Sequence, residues 1–249
     1  NKVLPPERTG HADLATRRPI APDSLFWIAS MSKPITGVAV LLLQDEGKLN
    51  ISDPVAKYLP EFAALKTPSG KPANLTITQI LTHTSGLGEA PEAATLKART
   101  LADLVPVWLS AKMTGEPGAQ WRYCQSGINL AGRIVEVVSG QAFEVFLQQR
   151  LFKPLGMTDT TFYPTEAQKA RLAIGYSKNK DTGALEVAPH RPTYGQRTNP
   201  PQGNGGLFST PQDYARFCQL LLNRGTFAGK RILSEQAFEV LTSVHTGSL

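Results

Sequence analysis

The sequence predicts a helix-rich globular domain with few strands. The chain has 249 residues, of which 41% are hydrophobic and 18% are charged, and this composition supplies enough apolar side chains for a buried core. Apolar residues recur at helical spacing in several segments, which are bounded by capping residues, glycine or proline. Segments that would predict strands are scarce. The length suits one large domain or two small ones, and we take residues 1–249 as a single domain.

The charge pattern and the apolar runs limit the classes of partner. The net charge is +6, but Lys and Arg are dispersed, with only short pairs such as Arg17-Arg18, so we expect no nucleic-acid binding. The longest clearly apolar run, Val38 to Leu43, is too short to cross a bilayer. No basic and then apolar leader opens the chain, so we expect a soluble protein whose export signal is absent or already removed.

The cysteines and histidines indicate no metal centre. Cys124 and Cys218 allow one disulfide, and the alternative that we favour is two free buried thiols. Neither cysteine belongs to a Cys-x-x-Cys motif, and the four histidines form no His-Glu-x-x-His motif. We therefore expect no metal and no other cofactor.

The first two predicted helices have recognisable start and stop residues. A thick apolar stripe predicts a helix from Ser30 to about Glu46, ended by Gly47. Thr76 and Gln79 form a capping-box pair that begins the next helix, which we expect to end at Gly86.

The second half of the chain is also predicted to be helical, apart from one long irregular excursion between helices. The glycine and proline content of residues 175–206 predicts irregular chain with a ligand-facing loop. The remaining helices are predicted at Leu101 to Ser110, near Gln125 to Ser139, near Ala142 to Leu151, from Thr210 to Gly225, and from Ser234 onward.

A Ser-x-x-Lys pattern lies at the start of the first helix. Positions i and i+3 share a helical face, so Ser30 and Lys33 can share a hydrogen bond. A serine is a weak nucleophile without an adjacent base, and the helix N-terminus can stabilise a developing oxyanion. Ser32 faces another direction. The pattern alone is more typical of an N-cap serine beside a solvated lysine, but the aromatic segment before it and the apolar helix after it favour an active site.

Four segments, in order, carry a resemblance to a known family. They are Phe26 to Thr36, the Leu-Thr-His-Thr-Ser-Gly-Leu segment at 81–87, Pro154 to Thr160, and Gly205 to Thr210 followed by Asp213. Together they resemble the class C β-lactamase-like group of serine hydrolases, which includes β-lactamases, D-alanyl-D-alanine carboxypeptidases, D-aminopeptidases and carboxylesterases. The four matches extend over about 190 residues, which makes them more specific than any single motif.

The resemblance implies a β-lactamase/transpeptidase-like fold of the α/β (α+β) class. That fold has an antiparallel sheet flanked by helices, together with a helical region. In the family, the sheet is built from segments before the nucleophile helix and after a third motif. Few residues precede Ser30 or follow Gly247, so we expect the sheet to be incomplete at both ends. The chain is then an internal fragment, or its sheet is reduced or completed from elsewhere.

The resemblance also assigns roles to individual residues. Ser30 would be the nucleophile, and Lys33 with Tyr123 would move the protons. Tyr123-Cys124-Gln125 matches the family's Tyr-x-Asn motif, so Gln125 would contact substrate through an amide set one methylene further out. The third motif, Lys/His-Thr/Ser-Gly, is matched in letters by His245-Thr246-Gly247, which we leave unassigned.

We therefore predict a serine hydrolase that acts through an acyl-enzyme on small carboxylic esters. The segment around Ser30 looks most like the esterase branch, and Gln125 departs from the amide-recognising motif. The alternatives are a β-lactamase or D-Ala-D-Ala carboxypeptidase acting on β-lactams or D-Ala peptides, and a catalytically inactive penicillin-binding homologue. The family implies a periplasmic or secreted protein, with a cytoplasmic location left open, as are the acyl group and the oligomeric state.

Overall fold

The computed structural model describes residues 7–188 and 196–249. The α-helices of these residues are α1 Ser32–Asp45, α2 Ile77–Leu81, α3 Glu92–Thr95, α4 Val105–Ser110, α5 Gln125–Ser139, α6 Phe143–Leu147, α7 Lys153–Leu155, α8 Glu166–Lys169, α9 Pro211–Leu222 and α10 Glu235–Thr242. The strands are β1 His11–Asp13, β2 Arg18–Pro19, β3 Phe26–Trp27, β4 Tyr176–Lys178, β5 Leu185–Val187, β6 Phe208–Ser209, β7 Thr226–Phe227 and β8 Lys230–Arg231.

Helix α1 lies at the centre of the hydrophobic core. Ten of its 14 residues are buried, so this helix is enclosed on nearly every side, as its almost uniform apolar sequence predicts. It contacts both α5 and α10. Helix α5 also packs closely on α2, because a Cβ at Gly127 would lie only 2.8 Å from the carbonyl oxygen of Ile80. These contacts fix the ends of α1, α2 and α5 relative to one another.

Most predicted helix starts are confirmed, because they depend on local capping. Thr76 accepts from the backbone of Gln79 and the Gln79 side chain accepts in return, which is the predicted capping box. Thr210 and Ser234 cap α9 and α10 through their hydroxyls. Helix α5 has the predicted bounds.

Two predicted helix boundaries are wrong. Helix α2 ends at Leu81 instead of continuing toward Gly86, because His83 adopts a left-handed backbone with φ 62°. The helix predicted from Ala142 to Leu151 is divided. Helix α6 is followed by a π-helical stretch, Gln148–Phe152, and then by α7.

The strands of the described residues form four antiparallel pairs, β1–β2, β3–β6, β4–β5 and β7–β8. No named sheet in residues 7–188 and 196–249 exceeds two strands, in agreement with the scarcity of strand patterns. The β4–β5 hairpin occupies part of the long excursion predicted for residues 175–206, while residues 189–195 lie outside the described residues. None of the described helices is long and apolar enough to cross a membrane.

Candidate active site

The pairing of β3 with β6 leads the chain into the Ser-x-x-Lys segment. Ile28 continues this pairing by donating its N–H to the carbonyl of Leu207 at 3.0 Å. Ala29 then adopts φ 45°, a conformation that costs energy for a residue with a Cβ and that is concentrated at functional sites. A 3₁₀ turn, Ala29–Met31, follows and runs directly into α1. The nucleophile candidate, Ser30, therefore lies at an exposed helix start with a buried helix behind it.

The structure brings Ser30, Lys33 and Tyr123 together. Lys33 Nζ donates to Ser30 Oγ at 2.9 Å, across one helical turn. Tyr123 Oη lies 2.8 Å from the same Ser30 Oγ, although 93 residues separate the two in sequence. Both distances are within the range of ordinary hydrogen bonds. The serine oxygen is thus held between an ammonium and a phenol.

Lys33 is held by three acceptors at once. Besides Ser30 Oγ, its Nζ donates to Gln125 Oε1 at 2.9 Å and to the backbone oxygen of Asn204 at 2.6 Å. An ammonium group has three protons, so this geometry uses one proton for each acceptor. The Lys33 nitrogen also lies 4.7 Å from the centre of the Tyr123 ring. The side chain is therefore fixed in direction as a charged donor.

The environment of Tyr123 favours its ionised form. Partial burial raises the pKa of the phenol, but hydrogen bonding to Lys33 and Ser30, together with the charge of Lys33, outweighs burial and leaves this pKa below its ordinary value. His83 packs on the Tyr123 ring at a centroid distance of 4.6 Å. Tyr123 remains 42% exposed, so the phenol is accessible to a substrate.

Asn204 belongs to the site, although the sequence analysis did not identify it. Its backbone N–H donates to Asn129 Oδ1 at 3.1 Å, and its side-chain amide donates to Gln125 Oε1 at 3.1 Å. The preceding residue, Gly203, approaches α1 so closely that a Cβ would lie 2.6 Å from Thr36 Oγ1. The glycines on either side of Asn204 were the available signal, because they mark a loop whose backbone makes a close approach. The predicted ligand-facing loop thus reaches Lys33.

Gln125 has its amide oxygen directed toward the interior of the site. Gln125 Oε1 accepts from both Lys33 and Asn204, so it bridges α1 and the loop before β6. The extra methylene of glutamine relative to asparagine is accommodated by these two donors. The predicted substrate contact of Gln125 stays a prediction.

His83 supports the loop that contains Tyr123. Its Nδ1 accepts from the backbone N–H of Cys124 at 3.1 Å, and its carbonyl oxygen accepts from Arg122 N at 2.8 Å. Burial and then the nearby charge of Lys33 lower the pKa of His83, which keeps the ring neutral and able to accept at Nδ1. The contacts of His83 therefore support the segment that carries Tyr123.

Ser32 and the two cysteines make no hydrogen bond with the cluster of Ser30, Lys33 and Tyr123 among the described residues. Ser32 is buried, and its hydroxyl donates to Ala29 O at 2.7 Å and accepts from Leu207 N at 3.2 Å. Both cysteines are free, but only Cys124 is buried, so the expectation of two buried thiols is wrong for Cys218. The exposure of Cys218 follows from its position on α9, whose buried residues are Asp213, Phe217 and Leu220. Burial raises the pKa of Cys124 to about 11, which disfavours its thiolate.

An apolar cavity of about 400 Å³ adjoins Lys33. Its lining includes Lys33, His83 and His245, together with apolar side chains of α1, α2 and α10. His245 Nε2 lies 2.6 Å from the carbonyl oxygen of Val240, so this histidine binds the end of α10.

In the described part of the chain, no group of three or more His, Cys, Asp and Glu side chains could hold a metal ion.

Comparison with known sequences gives a family match over nearly the whole chain. Residues 4–248 match the profile of the family described as Beta-lactamase. Protein Rv1367c of Mycobacterium tuberculosis (strain ATCC 25618 / H37Rv) is 32% identical over 262 residues, an alignment that covers 96% of this chain and 64% of that protein. The chain thus spans a little under two thirds of the length of this relative.

Solved structures share the fold. A penicillin-binding protein from Bacillus halodurans is similar with a TM-score of 0.73 and 26% identity, over 95% of this chain and 70% of the other. EstCE1, described as a hydrolase with promiscuous acyltransferase activity, gives a TM-score of 0.76 at 24% identity, over 92% of this chain and 66% of the other. At 24% identity, the similarity to EstCE1 shows a shared fold only.

Proposed function

Because the chain belongs to the β-lactamase family, we propose that it is a serine hydrolase that acts through an acyl-enzyme at Ser30, with small carboxylic esters as substrates. The observation that carries this proposal is the position of Ser30 Oγ, which lies within hydrogen-bonding distance of both Lys33 and Tyr123. An acyl-transfer nucleophile needs a proton acceptor in this position.

The hydrogen-bond directions support Tyr123 as the general base. Lys33 donates to Ser30 Oγ, and an ionised Tyr123 Oη can only accept, so the Ser30 hydroxyl then donates its proton to Tyr123 Oη. A phenol whose pKa is lowered ionises more readily, and its phenolate can accept this proton. Lys33 then has two effects, because it orients the serine and its charge stabilises the phenolate.

The proposed reaction has two symmetrical halves. Ser30 Oγ attacks the acyl carbon as its proton passes to Tyr123, and the resulting oxyanion collapses to expel the alkoxide. The alkoxide takes the proton from Tyr123, which leaves an acyl-serine. Water then attacks the acyl carbon, loses a proton to Tyr123 and releases the acid, and Ser30 regains its proton. The helix start at Ser30 offers a positive dipole end to each oxyanion.

Esters are favoured over amides by the position of Gln125. Its carbonyl oxygen already accepts from Lys33 and Asn204, and glutamine replaces the asparagine of the family's amide-recognising motif. The similarity to a penicillin-binding protein supports the alternative substrate class, β-lactams or D-Ala peptides. A binding homologue without turnover is the remaining alternative.

The test is the release of p-nitrophenol from acetate and butyrate esters. We expect turnover in the protein and its loss in Ser30→Ala, because no other hydroxyl among the described residues lies between Lys33 and Tyr123. Ser110→Ala is a matched control at the exposed end of α4, where the hydroxyl only donates to Val107 O, and it should keep full activity. Equal rates in the protein and in Ser30→Ala would refute the proposal.

Covalent labelling separates the substrate classes. Intact mass after incubation with benzylpenicillin reports a penicilloyl adduct, and Ser30→Ala should abolish any such adduct. Ester turnover without an adduct supports the esterase. An adduct without ester turnover would contradict it in favour of the penicillin-binding alternative.

A further inference from the structure

The N-terminus of α5 is capped by a side chain from far away in the sequence. The first backbone N–H groups of a helix have no partner within the helix and need an acceptor. Cys124, at the N-cap position, makes no side-chain capping bond. Glu89 provides the acceptors instead, since its Oε1 accepts from Gln125 N at 2.5 Å and its Oε2 accepts from Ser126 N at 3.0 Å.

A second contact makes this connection reciprocal. The hydroxyl of Ser126, which is buried, donates to Glu89 Oε2 at 2.8 Å and accepts from the backbone N–H of Ala90 at 2.9 Å. The loop that follows Gly88 and the first turn of α5 are therefore joined by four hydrogen bonds. Three of these bonds end on the Glu89 carboxylate, and charged acceptors form the stronger class of hydrogen bond.

The turn held by Glu89 carries two groups of the candidate site. Gln125 is itself one of the two residues whose backbone N–H Glu89 binds, and its side chain reaches Lys33. Tyr123 lies two residues before Gln125, in the segment that leads into α5. Glu89 itself forms no hydrogen bond with Ser30 or Lys33 among the described residues. The hydrogen bonds of Glu89 therefore connect it to the candidate site through Gln125 and the segment that carries Tyr123.

We propose that Glu89 is a positioning residue, whose carboxylate fixes the entry to α5 and thereby holds the Tyr123 phenol and the Gln125 amide against Lys33. The activity readouts of this proposal rest on the proposed function. A role limited to helix stability is the competing explanation, because an acidic side chain at a helix N-terminus stabilises the helix in any case.

The charges around Tyr123 provide a readout that a stability role would not move. The charged and titratable groups near the phenol include Lys33 from α1, His83 from the segment after α2, the adjacent Arg122 and Glu89. The negative charge of Glu89 raises the pKa of Tyr123 and opposes Lys33. Removal of this charge with the phenol in place should thus lower the phenol pKa further, whereas displacement of the phenol from Lys33 should raise it.

The experiment compares Glu89→Ala and Glu89→Gln with Asp103→Asn. Asp103 is a matched control, because its carboxylate also accepts from two backbone N–H groups, those of Arg99 and Thr100, each at 2.9 Å. It makes no hydrogen bond with the Ser30 cluster in the described residues. We expect kcat in Glu89→Ala to fall on the order of ten- to a hundredfold through misplacement of the phenol, while Asp103→Asn changes kcat less than about twofold.

Glu89→Gln separates charge from shape. Glutamine keeps an acceptor oxygen at the same reach, so we expect kcat to recover at least in part relative to Glu89→Ala. The rising limb of the pH profile of kcat/KM should lie at lower pH in Glu89→Gln than in Glu89→Ala, because only in the alanine variant does the phenol lose its contact with Lys33, and the limb should stay in place in Asp103→Asn. If Glu89→Ala lowers the urea midpoint and leaves kcat and the pH limb unchanged, the positioning role is overturned.

A titration that requires no turnover keeps this test independent of the proposed function. The ultraviolet absorbance of tyrosine is titrated with pH in each protein and in the same protein with Tyr123→Phe added. The difference between the two titrations gives the pKa of the Tyr123 phenol. We expect this pKa to be higher in Glu89→Ala than in Glu89→Gln, because both variants lack the Glu89 charge and only the alanine variant releases the phenol from Lys33. Equal phenol pKa values in the two variants would overturn the inference about Glu89, while a protein without ester turnover but with the expected difference would contradict only the proposed function.

Discussion

Replacement of Tyr123 by phenylalanine is the most direct test of the proton path. The change removes one atom, the Oη that lies 2.8 Å from Ser30 Oγ. The ring keeps its packing on His83 at 4.6 Å and its position 4.7 Å from the Lys33 nitrogen. Lys33 also keeps its three acceptors, so the variant isolates the phenol hydroxyl from the rest of the site.

The expected loss follows from the value of a positioned general base. Such a group contributes about a hundred- to ten-thousandfold in rate. At about 1.4 kcal/mol for each factor of ten, this corresponds to about 3–5 kcal/mol in the activation barrier. The free energy of unfolding should change by about 1 kcal/mol, because a partly exposed hydroxyl loses its hydrogen bonding to Ser30 and Lys33.

The assay is the pH dependence of kcat/KM for p-nitrophenyl acetate, with urea unfolding of the same samples. Since the proposed base is the phenolate, we expect the rate to rise with pH and to level off above the phenol pKa, which lies below the ordinary value of 10.0. Tyr123→Phe should lose this rising limb together with the rate. If Tyr123→Phe keeps the rate within about threefold and keeps the limb, the phenol is not the base and the argument from hydrogen-bond directions is refuted.

Two further predictions concern side chains beside the site. A disulfide exchange reagent should modify one thiol quickly, Cys218, whereas Cys124 should react only on unfolding, because it is buried and its pKa is raised to about 11. Cys218→Ser should remove the fast phase, and a fast phase that persists would contradict the assignment. Ser32→Ala should lower the free energy of unfolding by about 1–3 kcal/mol, because it leaves the buried Leu207 N–H without its acceptor. The proposed nucleophile, Ser30, remains in this variant, so a loss of activity at temperatures where the variant is folded would contradict the structural role of Ser32.

The local elements could be predicted because their causes lie within a few residues. The capping box at Thr76 and Gln79 and the bounds of α5 required only patterns of capping residues and apolar spacing. The family was also predictable, since four ordered segments carry it, and the match over residues 4–248 confirms that resemblance. The position of Lys33 beside Ser30 followed from helical spacing alone.

The rest of the site depends on contacts between distant segments. Glu89 caps a helix that begins 36 residues later, and no local pattern links a carboxylate in one loop to that helix. Asn204 contributes a backbone oxygen to Lys33, and backbone atoms carry no sequence signature. The early end of α2 depends on the left-handed backbone of His83, a conformation that residue type predicts only weakly.

The hydrogen bonds of Lys33 also have a consequence for folding kinetics. Two of them join residues that are 92 and 171 positions apart in sequence. Closure of such long loops is slow and entropically costly compared with the formation of local helices. Tyr123, Gln125 and Asn204 therefore reach Ser30 and Lys33 only when the overall topology is complete. Recovery of turnover after dilution from denaturant should accordingly trail recovery of helical circular dichroism, and a partly folded chain should have no acyl-transfer chemistry.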